Sequence, residues 1–498
     1  MRARTWFLLG GITLIAAVLR FWHLGVRDIW TDEAISISIA QLPWHEFRRV
    51  ITNREANAAF FELLLKLWTA TFGTSETAVR SLSALAGILT IPLLFAMARR
   101  FTRDSIGLIA AAFLAVNAFH IRYSQEARGY ALATLLVVIS TWLFLRMREK
   151  RGGTVAYVIV SVIAIYTHMF AVFVIAAHFL SALFEARDVR RRALSALAAI
   201  AVLAAPLALF AKTKDVGQIA WIEPPSLAGI ADTIWKMSGH DGRVLSTLFL
   251  IGVVAGAIFL LSRPRNVISD MPHRTAGVVL LCGCALLPFL LALLISLRKP
   301  IFLPRYLIVA LPALLILIAV AIAPGVSSRL IRTAQVAIVV VYVALSLHAT
   351  ASFYTTPFDP PPQNWRALVQ MVDAQAVSDD TVIFYHPYMR MPFEYARARE
   401  HLTLKTRVVF PQIPNADMMI APIQQMDARE ILTHPPTLRT RRMWLIRSSP
   451  PDATSEMLQD FLRRNFPFER TSNYGAGVDL FVYSRTASTP AGEAAEPR

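Results

Sequence analysis

Two adjacent acids, Asp32 and Glu33, stand in Trp30-Thr31-Asp32-Glu33-Ala34, directly after the first long apolar run. A carboxylate pair at such an edge suits base catalysis or cation binding. It equally suits the first turn of a helix, where Thr31 or Asp32 caps and acids meet the helix dipole. A second cluster is Tyr123-Ser124-Gln125-Glu126-Ala127-Arg128-Gly129-Tyr130. Glu126 and Arg128 lie near an apolar boundary, where an unpaired charge is costly, so they either pair or carry chemistry. His168 follows in the polar turn Tyr166-Thr167-His168, where a lone histidine is ordinarily an interfacial hydrogen-bonder. The last cluster holds Arg298, Lys299, Arg305 and Tyr306 with no acid among them. Arginine and lysine there suit phosphate recognition. Lipid head-group anchoring explains Arg298 and Lys299 better than Arg305. There is no P-loop and no G-x-G-x-x-G, so no nucleotide cradle is evident.

What must position these residues is mostly apolar. The 498 residues are 55% hydrophobic and 17% charged, with mean hydropathy +0.50. Soluble domains carry about 25% charged residues. A soluble enzyme, a disordered chain and a disulfide-stapled secreted domain are excluded. Apolar runs occur near residues 6–24, 79–98, 105–120, 129–145, 154–167, 169–184, 193–211, 244–262, 275–296, 304–323 and 333–350. Most have the roughly 20 residues needed to cross a bilayer, which predicts about eleven transmembrane helices. The first reads as a retained helix, since no small-x-small cleavage site follows it. Cys282 and Cys284 lie inside one run and read as packing residues.

The formal charge of +17 then becomes a topology signal. With the N-terminus cytoplasmic, the cytoplasmic segments hold 18 basic and five acidic residues, while residues 351–498 hold 16 of each. Basic residues concentrate on the cytoplasmic side of membrane proteins, so nucleic acid is not needed to explain the charge. All four clusters fall on the extracytoplasmic side. Three segments exceed simple connectors: 27–78, 212–243 and 351 onward. The first predicts interfacial helices at Asp32–Leu42 and Ala58–Thr71, and the second a lid with a short amphipathic stretch at Ile230–Met237. The third reads as an α/β domain over 351–485, with strands at Thr381–Tyr385, Met443–Ile446 and Val478–Tyr483 and helices at Trp365–Ala376 and Ser455–Arg464. A disordered tail is expected over 486–498. Residues 1–350 are expected to form the transmembrane module.

These motifs, in this order, resemble the polytopic GT-C glycosyltransferases related to protein O-mannosyltransferases, aminoarabinose transferases and Rgt-type galacturonosyltransferases. The resemblance rests on WTDEA, ANAAFFELLLKLW, YSQEARGYAL, YTHMFAVFV, LPRYLIVALPALLIL and NWRALVQMVDAQ with DDTVIFYHPYMRMPFEYA. Where such proteins often carry a Pro-Pro pair, this chain has Ala58-Ala59, with Glu55 and Asn57 just ahead. The resemblance implies an inner-membrane enzyme that moves a sugar, with inversion, from a polyprenyl-phosphate donor to a lipid, glycan or protein acceptor at the extracytoplasmic face. It implies Asp32 as the general base, Glu33 and Glu126 as assisting groups, and Arg128, His168 and Arg305 around the donor phosphate. Glu55, Asn57, Tyr130 and Tyr306 would line the substrate, and a divalent cation is admitted. A secondary transporter and a polymerase using a diphosphate-linked donor are the alternatives. Transporters place ionisable groups at the midplane, whereas here the acids gather at one face.

Overall fold

The computed structural model describes residues 3–100, 102–149, 152–213, 221–262, 274–323, 329–358, 362–403, 406–410, 440–448, 453–475 and 477–485. They form two compact units, one of residues 1–26 and 51–358, the other of residues 27–50 and 359–498. The loop after the first helix is thus divided: residues 27–50 group with the C-terminal region.

The first unit is helical. Its elements are α1 (Ala3–Phe21), the end of α3 (Trp44–Asn53), a 3-10 turn (Ala56–Ala58), α4 (Ala59–Phe72), α5 (Glu76–Ala98), α6 (Asp104–Val116), α7 (Ala118–Ser124), α8 (Tyr130–Arg148), α9 (Thr154–Thr167) and α10 (Ala171–Leu183). There follow α11 (Arg187–Thr213), α12 (Leu227–Ser238), α13 (Gly242–Ser262), α14 (Arg274–Ser296), a 3-10 segment (Pro304–Ala310), α15 (Leu311–Ile322) and α16 (Arg329–Thr355). Each of the eleven apolar runs is helical. Among the described residues, eight spans are long and apolar enough to cross a membrane alone, and nine if bent α6–α7 counts as one. Helices α9 and α10 are the shorter pair expected around His168. This is a multi-pass membrane protein, with Phe7, Val202, Ile251 and Val336 exposed on its spans as a lipid-facing surface requires.

The inner spans are α8 and the 304–322 segment. Helix α13 reaches α15 through Gly252 and Gly256, one turn apart, as small residues allow in membranes. A Cβ on Gly256 would stand 1.9 Å from the Leu317 carbonyl oxygen, and one on Gly252 2.9 Å from Ile318 Cγ2. Backbone cannot yield as a side-chain tip can. Gly256→Leu is therefore expected to destabilise this unit by about 1–3 kcal/mol or more, read as a lower detergent melting temperature; an unchanged melting temperature would contradict the close approach.

The run at 105–120, expected as one span, is bent. The chain breaks at Asn117, and α6 and α7 meet at 61°. Asn117 Oδ1 accepts from His120 N–H (2.9 Å), while its Nδ2 donates to Met237 O (3.0 Å). Fully buried Arg20 closes the other side, donating to Leu114 O (3.1 Å) and Ala115 O (3.0 Å) and meeting His120 Nδ1 at 2.7 Å. Those carbonyls belong to the last turn of α6, where intrahelical partners run out. Gln125 returns the service to α1, its Nε2 donating to the oxygens of Leu19, Arg20 and Trp22.

The second unit begins with α2 (Thr31–Gln41) and the start of α3, and continues with α17 (Trp365–Gln375), β1 (Thr381–Phe384), a 3-10 turn (Pro387–Met389), α18 (Arg390–Arg399), β2 (Arg407–Phe410), β3 (Arg442–Ser448), α19 (Ala453–Asn465), β4 (Phe468–Asn473) and β5 (Val478–Ser484). The sheet order is β2-β1-β3-β5-β4. Strands β1, β2 and β3 are parallel, and β5 runs antiparallel to both β3 and β4. One core joins Trp365, Leu368, Phe384, Phe393 and Trp444; the other joins Ile383, Leu445, Leu458 and Phe466. The expected strands at 381, 443 and 478 and the helices at 365 and 455 are present. Strands β2 and β4 and helix α18 were not foreseen: β4 is largely exposed and polar, so it lacks an apolar alternation. The expected tail, 486–498, lies outside the described residues.

Candidate functional site

In the helical unit, the Gln125–Gly129 loop hangs between α7 and α8. Gly129 is what the packing requires there: a Cβ would lie 3.1 Å from Thr167 O and 3.3 Å from Phe61 Cβ. The loop therefore presses against the ends of α9 and α4, and Ser83 Oγ donates to Arg128 O (3.1 Å). Glu126 is fully buried and faces Arg122, Nη1 to Oε2 2.8 Å. Arg122 Nε in turn donates to Phe358 O (3.1 Å). Arg128 faces another fully buried carboxylate, Glu62, with Nη1 3.7 Å from Oε1. Both buried carboxylates, Glu126 and Glu62, thus have an arginine partner, as burial of a charge demands.

Beside this loop stands an aromatic cluster. The His168 ring lies 5.6 Å from Tyr130, 5.1 Å from Tyr306 and 5.5 Å from Phe170, centroid to centroid. Tyr130 and Tyr306 are 6.5 Å apart and near-parallel at 28°. Tyr130 is within electrostatic reach of Arg305, Arg128 and Glu126. Buried Arg305 sits over the rings of Trp221 (5.3 Å) and Tyr306 (5.8 Å), a cation–π setting that orients its planar fork. The turn carrying His168 is fixed from α4's side: Asn57 Oδ1 accepts from Met169 N–H at 2.8 Å. Glu55 lies 3.8 Å from Arg54.

His168 lies in the turn between α9 and α10. Burial first, then the nearby charges of Arg128 and Arg305, lower its pKa to about 3. The ring is neutral at pH 7. An unfolded histidine titrates near 6.5, so between about pH 6.5 and 3 the unfolded chain binds the extra proton and stability falls as pH falls. The loss is at most about 1.4 kcal/mol per pH unit. Melting temperature should drop from pH 7 to pH 5, and His168→Asn should flatten that slope; an unchanged slope would contradict a neutral buried ring.

In the α/β unit, Asp32 is half-buried on the first turn of α2, and Glu33 is buried. Trp30 N–H donates to Glu33 Oε2 (3.4 Å), the reach-back half of a capping box. Thr31 N–H and Oγ–H both donate to Gln363 Oε1, at 3.1 and 2.9 Å. Asp28 and Arg366 pair at 3.1 Å.

The helical unit thus gathers Glu126, Arg128, Tyr130, His168, Arg305 and Tyr306, with Asn57 bracing the turn. Asp32 and Glu33 belong to the other unit. Sequence reasoning missed Glu62, Arg122 and Trp221. For Glu62 a signal exists, an acid inside the apolar segment Ala56–Trp68. Among the described residues, no three His, Cys, Asp or Glu side chains come together in a way that would hold a metal ion.

Comparison with known proteins adds the following. Residues 57–211 match the family model of dolichyl-phosphate-mannose-protein mannosyltransferases. No curated protein sequence matches. Among solved structures, ArnT from Cupriavidus metallidurans, determined with undecaprenyl phosphate bound, is similar at TM-score 0.57 and 14% identity, over 98% of this chain and 99% of that one. The Archaeoglobus fulgidus oligosaccharyltransferase is similar at TM-score 0.54 and 12% identity, over 88% of this chain and 69% of that one. The mycobacterial arabinofuranosyltransferase AftD gives TM-score 0.51 and 14% identity, over 98% of this chain but 42% of that one.

Proposed function

We propose, from the GT-C membrane glycosyltransferase fold that this chain has, that it transfers a sugar from a polyprenyl-phosphate donor to a hydroxyl acceptor, with inversion. The observation that carries this reading is the set of buried Arg305, neutral His168 and Tyr130 with half-buried Arg128 and Tyr306 beside them. Two guanidinium groups against uncharged ring donors suit a phosphate oxyanion. The solved neighbour holding undecaprenyl phosphate supports the same donor class.

In the reaction, the acceptor oxygen bonds to the anomeric carbon as the bond from that carbon to the phosphate oxygen breaks. The acceptor's proton goes to Asp32, the half-buried first-turn acid, while Glu33 holds Trp30 and with it the start of α2. Polyprenyl phosphate leaves as an anion and needs no general acid, unlike the two-carboxylate glycosidase scheme. Arg128 and Arg305 receive its charge, Glu62 steadying Arg128. Glu126 holds Arg122, and Asn57 braces the turn that carries His168. No step is assigned to a divalent cation. The positive-inside charge supports an extracytoplasmic working face in the inner membrane, with the N-terminus cytoplasmic.

The test is binding of undecaprenyl phosphate to purified protein in nanodiscs. Saturable binding, weakened in Arg128→Gln and Arg305→Ala, is expected. No binding, or binding indifferent to both substitutions, would overturn the assignment.

A further inference from the structure

The α/β unit has an edge whose chemistry the donor cluster does not use. Strand β1 is flanked on both sides by parallel neighbours, β2 and β3. The chain leaves β1 through α18 towards β2, then crosses to β3 on the other side. The winding therefore reverses at β1, and open sheets bind ligands outside the carboxyl ends of their strands at such a reversal.

Four segments meet at this edge. Tyr385–Arg390 continues β1 itself. Helix α17 leads through a short connection into β1, so its first residues lie at β1's carboxyl end; its last, Gln375, accepts from Arg442 at the start of β3, on the opposite edge. The turn before β5 is third: Val478 pairs with Ser448, the last residue of β3, and Gly475 bridges to Gln363. Gly475 has φ +87°, and a Cβ there would stand 2.4 Å from Pro362 O, so the two chains touch by backbone. The start of α2 is fourth, tied to the same Gln363 through Thr31, and α2 packs on the 387–389 turn and on α18. Asp32, next to Thr31, is held at the switch-point edge by its own unit.

The segment after β1 carries a ring platform. His386 and Tyr388 stack at 5.4 Å and 20°, both half-buried, with Tyr385 edge-on to His386 at 4.5 Å and 63°. Tyr388 rests on the core beneath. His386 adopts φ +61°, a left-handed conformation unusual for a side-chain-bearing residue. A stacked pair of half-buried rings suits the C–H face of a pyranose, which pairs with a π face; a serine or threonine side chain offers no such face.

We propose that this edge is the acceptor site and that His386 and Tyr388 receive a carbohydrate, with Asp32 beside it as base. The assignment rests on the transfer reaction proposed above and names its acceptor class. The experiment is saturation-transfer NMR on the full-length protein in nanodiscs, with N,N′-diacetylchitobiose, its octyl glycoside and a Ser/Thr-rich peptide as probes. Saturation of the disaccharide ring protons is expected. It should weaken about fivefold in Tyr388→Ala, the order of one lost ring contact, and persist in Tyr388→Phe and in Arg305→Ala. Binding of the free disaccharide supports a soluble glycan; binding of the octyl glycoside alone supports a lipid-linked one. Absence of signal from both sugars, a signal unmoved by Tyr388→Ala, or a peptide signal that vanishes in its place overturns the proposal. Undecaprenyl phosphate binding is measured in parallel. If it is intact while glycan binding is absent, the acceptor assignment fails alone; if it is lost while glycan binding stays, the donor reading fails instead.

Discussion

Asp32→Asn should fold, insert and bind undecaprenyl phosphate like the parent protein, yet lose sugar transfer by about two orders of magnitude or more, the usual cost of a missing general base. The substitution is nearly isosteric and half-exposed. It removes one first-turn acid, worth about 0.3–1 kcal/mol to the helix dipole, so expression and melting temperature should barely move. Glu33 gives the contrast. Its carboxylate accepts from Trp30 N–H and is buried, so Glu33→Ala should lower stability along with activity, whereas Asp32→Asn should separate them. Near-normal transfer by Asp32→Asn would remove Asp32 as the base.

Arg305→Ala should lower kcat/KM for the donor about 10- to 100-fold, the size of one or two charge-assisted hydrogen bonds to phosphate. Arg305→Lys should recover only part of this. It restores the charge but not the flat fork lying over Trp221 and Tyr306. The acceptor's apparent affinity should stay the same in both variants. Steady-state kinetics with donor and acceptor varied separately reads the split, and an unchanged donor dependence would contradict a phosphate role.

Apolar length and loop charge made the helices and the clustering of polar motifs legible. Every expected apolar run is a helix, because a chain in lipid has to satisfy its backbone internally. The break at Asn117 was hidden because its cause is not local: Arg20, far away in sequence, caps the carbonyls that the break exposes. Glu126 and Arg128 read as candidates to pair with each other or with loop residues, and their ion pairs run to Arg122 and Glu62. Position i+4 on α7 gives the first, and tertiary packing of α4 gives the second. Gln125 looked like part of a chemical motif and is a cap for α1. In the α/β unit, strands with strong apolar character were visible, while exposed β4 carried no periodic signal. That Thr31 and Asp32 group with the C-terminal sheet was not readable, since the partners of this segment, Gln363, Arg366 and α18, lie more than 300 residues away.

The central claim is the donor: a sugar on a polyprenyl monophosphate, consumed through Asp32. Mass spectrometry of the polyprenyl lipids in a strain lacking this protein, complemented with either the parent chain or Asp32→Asn, tests it most directly. A polyprenyl-monophosphate sugar should accumulate in the deletion strain and with Asp32→Asn, and return to a low level with the parent chain. An unchanged monophosphate-sugar pool, or accumulation of a diphosphate-linked sugar in its place, would contradict the account.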